Sequence, residues 1–240
     1  MVRCSTNSIH DLYHDAYEIE AGSQSPRILK LHDQGRGCKV RLGVTAPEQT
    51  KHIFVLYNPG GEVKTYNLPD RQDAIASSIL EHETKYPFMK NYVVCDEKLA
   101  RNLKKFIEVY AVKADTDFNG CVNDFGQVNT SFYPSPGLKG LPDLDYYLEI
   151  QESFSVMQDE LNCKNLSSLI FSGPTIDYFF HKLYKTGAKI RIHKHSKEIK
   201  YAFTTELTNG KKALCIFIKH LSYINDPTVI AGSFHELLQN

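Results

Sequence analysis

The first hydrophobic pattern in the chain has the spacing of a helix. One face of that helix would carry Ile9, Leu12, Tyr13, Ala16 and Tyr17. Ser8 precedes this run and Asp11 follows three residues later, which is the pattern of a capping box, and Gly22 ends it. Because so short a helix is marginal alone, we expect it to pack on a surface of this chain or of a neighbouring copy.

Short apolar or alternating runs predict strands in both halves of the chain. In the first half these runs are Arg27–His32, Cys38–Thr45, Lys51–Tyr57 and Glu62–Asn67, with the turn Asn58-Pro-Gly-Gly61 joining the last two. In the second half, Tyr146, Leu148 and Ile150 alternate with Asp145, Tyr147 and Glu149. The strands predicted after that are Ala188–Lys194, Glu198–Leu207 and Ala213–His220, with a turn at Asn209-Gly210.

Helices and one long loop are predicted between the strands. Asp70 can cap a helix that carries Ala74, Ile75 and Ile79, and Asp96 can cap one that carries Leu99, Leu103, Phe106, Ile107 and Tyr110. Ser172-Gly-Pro174 opens another, which ends near Gly187. The stretch Asp115–Pro142 is rich in Gly, Asn, Asp and Pro and is predicted to be an ordered loop.

The order of these elements predicts the fold class. A helix, several strands, helices and more strands follow one another without regular βαβ alternation. This order favours a mainly β fold of the α+β kind, an antiparallel β-sandwich with flanking helices and an N-terminal helix. There is no internal repeat, so a single domain is predicted over residues 1–240. It would have an N-terminal helical arm at 1–22 and a sandwich with helical insertions over 27–240.

Composition and charge exclude several classes of function. The chain has 28 basic and 28 acidic side chains, so it lacks the charge excess of a specific nucleic-acid binder. The start of the chain is polar and does not resemble a signal peptide, and the longest apolar run, Ala213–Ile218, is too short to cross a membrane. The six cysteines form no CxxC motif and are predicted to be free thiols in a reducing compartment. The 14 tyrosines would ionise near pH 10, so a chain that is neutral at pH 7 becomes strongly anionic in alkali.

Two histidine patterns carry candidate chemistry. His193-Lys-His195 could form half of a zinc site with His181 or Glu198, but the neighbouring lysines would repel a cation, so a solvated basic strand is favoured and no metal is predicted. His82-Glu-Thr84 and His220-Leu-Ser222 are similar to the paired motifs of 2H phosphodiesterases, in which each histidine serves as an acid or base on a central strand. His220 fits that placement, whereas His82 lies at the end of a predicted helix.

A glycine loop, Gln34-Gly-Arg-Gly37, could contact phosphate through backbone N–H groups. It lacks the glycine, lysine and hydroxyl spacing of a P-loop. A tight turn between strands is therefore the favoured interpretation.

Three stretches, taken in order, resemble the polyhedrins of cypoviruses, which are insect reoviruses. They are Ile53–Val63, with its strand, glycine turn and strand; Val128–Pro134; and Thr186–Ile199, with Asn225-Asp-Pro227 and Ala231-Gly232 downstream. The region from Lys85 to Asn123 is longer than the family pattern, and the family's further C-terminal helix is not predicted before the chain ends.

The resemblance implies a structural matrix protein and not an enzyme. Its subunits would form homotrimers that pack into crystals in the host cell cytoplasm, as viral occlusion bodies that embed virus particles and dissolve in alkali. No membrane partner and no metal are predicted from the sequence. Some members of the family bind nucleotides, but their contact residues cannot be matched to positions of this sequence. It also implies an N-terminal arm that reaches to neighbours, which corresponds to Ser8, Leu12, Tyr13 and Tyr17.

Ionisation of tyrosine gives that release a mechanism. A tyrosine hydroxyl that donates a hydrogen bond across a contact becomes a negative charge in alkali and can no longer donate. The candidate pH-switch residues are Tyr13, Tyr17, Tyr146 and Tyr147. Two alternatives stay open: a small 2H-like phosphodiesterase or hydrolase that uses His220 with His82 or His193, and an interaction module without catalysis.

Overall fold

A computed structural model describes residues 8–44, 48–57, 62–85, 89–94, 97–134, 143–161, 165–173, 199–206 and 212–239, without the side chains of 143–146, 200, 201 and 205. The helices are α1 (Ile9–Ala21), α2 (Pro26–His32), α3 (Arg71–Lys85), α4 (Met89–Tyr92), α5 (Lys98–Lys113), α6 (Phe118–Cys121), α7 (Asp143–Glu160) and α8 (Pro227–Gln239). The strands are β1 (Arg36–Cys38), β2 (His52–Leu56), β3 (Thr65–Asn67), β4 (Phe125–Asn129), β5 (Ser168–Ser172), β6 (Ile199–Glu206) and β7 (Lys212–Ile218).

The chain folds into two compact units, each built from three separate segments. Unit 1 contains Met1–Gly43, Asn58–Lys85 and Asn129–Asn162, and unit 2 contains Val44–Tyr57, Tyr86–Val128 and Cys163–Asn240. The single domain over 1–240 stays a prediction.

Unit 1 is mainly helical, and helix α1 lies in its core. The predicted capping box is present, because the Ser8 hydroxyl accepts from the Asp11 N–H while the Asp11 carboxylate accepts from the Ser8 N–H. The helix ends at the predicted residue, Gly22. Its apolar face packs against α3, α7 and β1 of the same unit. The surface that this helix needs is therefore supplied by its own chain.

A short antiparallel ribbon, β1 with β3, completes unit 1. Gly37 lies opposite Tyr66 in this ribbon, and a Cβ atom on Gly37 would lie 2.2 Å from the Tyr66 ring. Only glycine fits there. Gly35, in the turn before β1, has a φ of 71°, which also favours glycine. The glycine loop is thus a tight turn, as favoured, although it joins a helix to a strand.

Unit 2 contains a five-stranded mixed sheet with the order β4-β2-β5-β7-β6. Strand β5 is parallel to both β2 and β7, and β6 is antiparallel to β7. Every residue of β2 and β5 is buried, as expected for strands covered on both faces. Helices α5 and α8 contact each other and share one hydrophobic core with alternate strand residues such as Phe54, Ile170 and Ile216.

The predicted antiparallel β-sandwich is wrong. Three neighbouring strands of the main sheet run parallel, and helices make up most of unit 1. Two predicted strands are helices: Arg27–His32 lies in α2, where Pro26 occupies the first turn, and the alternating run from Asp145 to Ile150 lies in α7. The buried positions of α7 recur at helical spacing at Ile150, Ser153, Val156, Met157 and Glu160.

Other boundaries also differ from the prediction. Of the described residues in the predicted strand Cys38–Thr45, only Cys38 lies in a strand, as the last residue of β1. Val44 forms one isolated antiparallel bridge with Gln127. Strand β4 occupies part of the predicted loop, and β5 and α8 were not predicted at all. The predicted strand Lys51–Tyr57, the helices predicted to carry Ala74–Ile79 and Leu99–Tyr110, and the pairing of the last two predicted strands are confirmed as β2, α3, α5 and β6 with β7.

Candidate functional site

The topology of unit 2 points to one edge of its sheet. From β2 the chain goes first to β4 on one side and then to β5 on the other side, so the strand order reverses between β2 and β5. In open α/β sheets, ligands bind outside the carboxyl ends of the strands at such a switch point. The parallel strands β2, β5 and β7 end here at Leu56, Ser172 and Ile218.

The last residue of β5 and residues that follow β5 and β7 form what we call the carboxyl-edge site: Ser172, Gly173, His220, Ser222 and Tyr223. Gly173 follows β5 directly, and its N–H donates to the Ile218 carbonyl at the end of β7 at 3.3 Å. His220 lies two residues beyond β7. The glycine turn Asn58-Pro-Gly-Gly61, which follows β2 in sequence, lies outside the described residues.

His220 is held in one tautomer by the loop that carries it. Its Nδ1 accepts the backbone N–H of Ser222 at 3.2 Å. In the neutral ring the proton therefore resides on Nε2. Among the described residues Nε2 has no hydrogen-bond partner, so its N–H can donate to a ligand.

Burial keeps this imidazole neutral. The half-buried ring of His220 loses hydration, which lowers the pKa of the imidazole below its ordinary value of about 6.5. The neutral form therefore predominates at pH 7. A neutral N–H donor suits a carbonyl oxygen or an oxygen on which negative charge develops.

Two buried polar side chains hold the loop around His220. The Ser172 hydroxyl accepts from the Leu221 N–H at 3.0 Å. From helix α5, the Asn102 amide donates to the carbonyls of Leu221 and Ile224 at 2.6 and 3.1 Å. The loop is thus fixed from both the sheet and the helix that covers it, which places His220 on a rigid support.

Gly173 allows His220 to approach the sheet. Its φ of 104° is accessible mainly to glycine, and a Cβ atom at this position would lie 3.1 Å from Cδ2 of His220. A larger residue here would both strain the backbone and displace the imidazole. The glycine therefore sets the position of the ring.

Tyr223 adds an exposed aromatic surface to the site. Its side chain is 79% exposed, and its ring centroid lies 5.6 Å from that of His220. An exposed large aromatic beside a neutral donor offers stacking together with one directed hydrogen bond. The site thus offers one apolar ring surface and one polar donor to a ligand.

The second histidine of the predicted 2H pair lies in the other unit. His82 lies in α3 of unit 1, where burial lowers the pKa of its ring to about 4, and its Nδ1 lies 3.4 Å from the Tyr13 hydroxyl. His220 lies in unit 2. His193, His195, His181 and Glu198 lie outside the described residues.

The predicted pH-switch and assembly residues lie mostly in the core of unit 1. Tyr13, Tyr17 and Leu12 are buried, and Ser8 caps α1. Tyr147 in α7 is 47% exposed, and the side chain of Tyr146 is outside the described residues. Their roles in assembly and alkaline release stay predictions.

Three further observations bear on the chemistry. No group of three or more His, Cys, Asp or Glu side chains in the described ranges is placed to hold a metal ion. None of the helices found there has the length and apolar content needed to cross a bilayer. Cys38, Cys121 and Cys215 are buried free thiols, and the other three cysteines lie outside the described residues.

Comparisons with family models and with curated proteins find no match. The chain matches no protein-family model, and no curated protein is significantly similar to it.

Sequence reasoning found His220 but not its surroundings. Its signal was a histidine at the end of an apolar run. Ser172-Gly-Pro174 has the pattern of a helix start, although a Ser-Gly pair directly after the apolar run Leu169–Phe171 is also a strand-end signal. Asn102 is separated from Leu221 by 119 positions and carries no such signal.

Proposed function

We propose that unit 2 binds a small molecule at the carboxyl-edge site, with neutral His220 donating a hydrogen bond from Nε2 to an acceptor oxygen of the ligand. One observation carries this proposal. At the switch point of the sheet, Nδ1 of His220 accepts a hydrogen bond from the Ser222 N–H, and the Nε2–H of the same ring has no partner among the described residues. Ser172, Gly173 and Asn102 support the geometry, and Tyr223 supplies the adjacent aromatic surface.

The proposal concerns binding. A fixed N–H donor recognises an oxygen whether or not a reaction follows, so the proposal is compatible with the predicted non-enzymatic function and with the open hydrolase alternative.

Binding is tested by NMR titration of the full chain with three fragments, acetamide, acetate and inorganic phosphate, which present carbonyl, carboxylate and phosphate oxygens. We expect at least one fragment to shift the His220 ring signals in a saturable way. Replacing His220 with Phe keeps a ring but removes the donor, and we expect it to weaken that fragment by about 3- to 10-fold, the worth of one neutral hydrogen bond. His14→Phe, at an exposed position of α1, is the matched control and should leave affinity unchanged.

The titration has outcomes that support the binding proposal and outcomes that reject it. Saturable shifts at His220 that are weakened in His220→Phe support the proposal. No shift at His220 with any fragment, or equal affinity in His220→Phe, rejects it.

The matrix function implied by the polyhedrin resemblance is kept as a second proposal, with homotrimers, occlusion crystals and virus particles as its partners. Two observations support it. One is the set of stretches that resemble polyhedrins, and the other is the burial of Tyr13 and Tyr17, which raises the pKa of both hydroxyls. Because these side chains are packed in unit 1, their ionisation in alkali would disturb the packing of that unit. The sandwich fold that the resemblance implied is wrong, so this proposal ranks below the first.

Turbidity between pH 6 and pH 12, with microscopy of the neutral sample, tests the matrix function. We expect micrometre crystals at neutral pH that clear above about pH 10, where exposed tyrosines ionise. A clear, monodisperse solution at pH 7 would remove this function from consideration.

A further inference from the structure

Unit 1 contains a cavity that neither proposed function uses. It has a volume of about 420 Å³ and is bounded by β1, β3 and the start of α3. This volume lies in the range of small-molecule sites, which is about 300–1,000 Å³. All of the residues that line it belong to unit 1.

The cavity is lined by charges of both signs. Arg36 and Lys39 contribute two cations, and Asp70 and Asp73 contribute two carboxylates. In the described part of unit 1, no ion pair joins either carboxylate to either cation. The four charges sum to zero, so the cavity as a whole favours neither a simple anion nor a simple cation.

Neutral groups hold three of these charged side chains in place. The Lys39 ammonium donates to the Ser77 hydroxyl at 2.9 Å, and Ser77 in turn donates to the Ala74 carbonyl at 3.0 Å. The Arg36 guanidinium donates to the Thr65 hydroxyl, and the Asn67 amide donates to the Asp70 carboxylate at 2.9 Å. Such neutral partners orient a charge without neutralising it, which leaves it able to attract a charged group of a ligand.

The cavity also has an apolar part. Ala74 and the Tyr66 ring line it and are both buried. The Tyr66 hydroxyl is already used, since it donates to the Glu20 carboxylate at 2.7 Å, so the ring offers only its apolar surface. A ligand here would contact hydrocarbon as well as charged groups.

From this arrangement we infer that unit 1 binds a small zwitterion, a molecule with an anionic group, a short apolar chain and an ammonium group. The anionic group pairs with Arg36 and Lys39, and the ammonium pairs with Asp70 and Asp73. A simple anion would be attracted by the two cations but repelled by the two carboxylates. A simple cation would be attracted by the carboxylates but repelled by the cations. Only a ligand with both charges satisfies both sets.

Three compounds with the same four-carbon chain separate these cases: γ-aminobutyrate, butyrate and butylamine. The full chain is titrated with each compound by NMR at low salt, following the Ala74 methyl signal, because Ala74 lines the cavity. Glycine, β-alanine and 6-aminohexanoate are added to vary the separation of the two charges. We expect one of the zwitterions to bind at least 5-fold more tightly than butyrate and butylamine, and its affinity to fall as salt screens the charges.

Two variants assign the contacts. Asp73→Asn and Lys39→Met should each weaken the best zwitterion by about 3- to 10-fold. Asp15→Asn removes an exposed carboxylate of α1 outside the cavity and is the matched control. Asp73 is exposed, so its variant should fold normally even where Lys39→Met does not.

The inference is overturned if butyrate or butylamine binds as tightly as the best zwitterion. It is also overturned if no zwitterion shifts Ala74, or if Asp73→Asn binds like the unaltered chain. None of these outcomes depends on His220, so this experiment and the His220 titration test the two binding proposals independently.

Discussion

Replacing Arg27 with Met is expected to lower the free energy of unfolding of unit 1 by about 3–5 kcal/mol. The carboxylate of Glu149 is completely buried, and two nitrogens of Arg27 donate to its two oxygens. Ser25 donates to the same carboxylate at 3.0 Å. Without Arg27 the carboxylate keeps hydroxyl partners but loses its countercharge, and a buried charge without a countercharge is among the most destabilising changes in a protein.

Urea unfolding followed by circular dichroism measures this loss. Arg27→Met combined with Glu149→Leu removes both charges and should recover most of the lost stability, because a buried ion pair can often be replaced by apolar residues. Lys30→Met, an exposed cation on the same helix α2, is the matched control and should change stability by less than about 0.5 kcal/mol. An Arg27→Met variant as stable as the control would show that the pair is solvated and contributes little.

Unit 1 is expected to lose stability steeply as the pH rises from 10 to 12. Burial raises the pKa of Tyr17 to about 12, against an ordinary value of about 10, and it also raises the pKa of the Tyr13, Tyr66 and Tyr133 hydroxyls. Because the folded pKa exceeds the unfolded one, the contribution of each group is fully present below pH 10 and is lost as the pH rises towards the folded pKa. The difference between an unfolded pKa of about 10 and a folded pKa of about 12 corresponds to about 2.7 kcal/mol of stability for Tyr17 alone.

Unfolding free energies at pH 8 and pH 11.5 measure this loss, and Tyr17→Phe assigns part of it. The Tyr17 hydroxyl lies 2.8 Å from the Ser78 hydroxyl and donates to the Ala74 carbonyl at 3.3 Å. We therefore expect Tyr17→Phe to be less stable by about 1 kcal/mol at pH 8 but to depend less steeply on alkaline pH. Tyr147→Phe, at an exposed position of α7, should leave the slope unchanged. A slope for Tyr17→Phe equal to that of the unaltered chain would contradict the assignment.

Local signals predicted several helices correctly. The capping box at Ser8 and Asp11 fixes the start of α1, and the apolar faces of α3 and α5 have the helical period over several turns. The wrong secondary-structure predictions come from patterns that extend over only a few residues. Six alternating residues from Asp145 resemble a strand, whereas the described side chains of α7, from Tyr147 onward, are buried at positions three or four apart.

The error in fold class follows from those failures. Strand β4 contains Gly126 and Asn129, which are weak strand residues, and it lies in a segment with many turn residues. Once β4 and β5 are placed on either side of α7, the chain from β2 onwards reads as strands separated by helices, a pattern typical of parallel sheets. With both strands missed and α7 assigned as a strand, only an antiparallel arrangement was left to predict.

The candidate site could be predicted only in part. His220 is visible in sequence because it ends an apolar run, but the contact with Gly173 depends on the pairing of β5 with β7. The tautomer of His220 depends on the conformation of a short 3-10 turn, Leu221–Tyr223, and on the Ser222 N–H that this turn directs at Nδ1. These relations arise from tertiary structure and leave no local pattern.

The central claim is that His220 is a neutral imidazole with its proton on Nε2 at the carboxyl edge of the parallel strands. Long-range ¹H–¹⁵N NMR of the histidine rings between pH 5 and pH 8, with His220 assigned by the His220→Phe variant, tests it most directly. We predict a pKa below 6.5 and, at pH 7, the protonated nitrogen at Nε2. A pKa at or above 6.5, or a proton on Nδ1 at pH 7, would contradict the account.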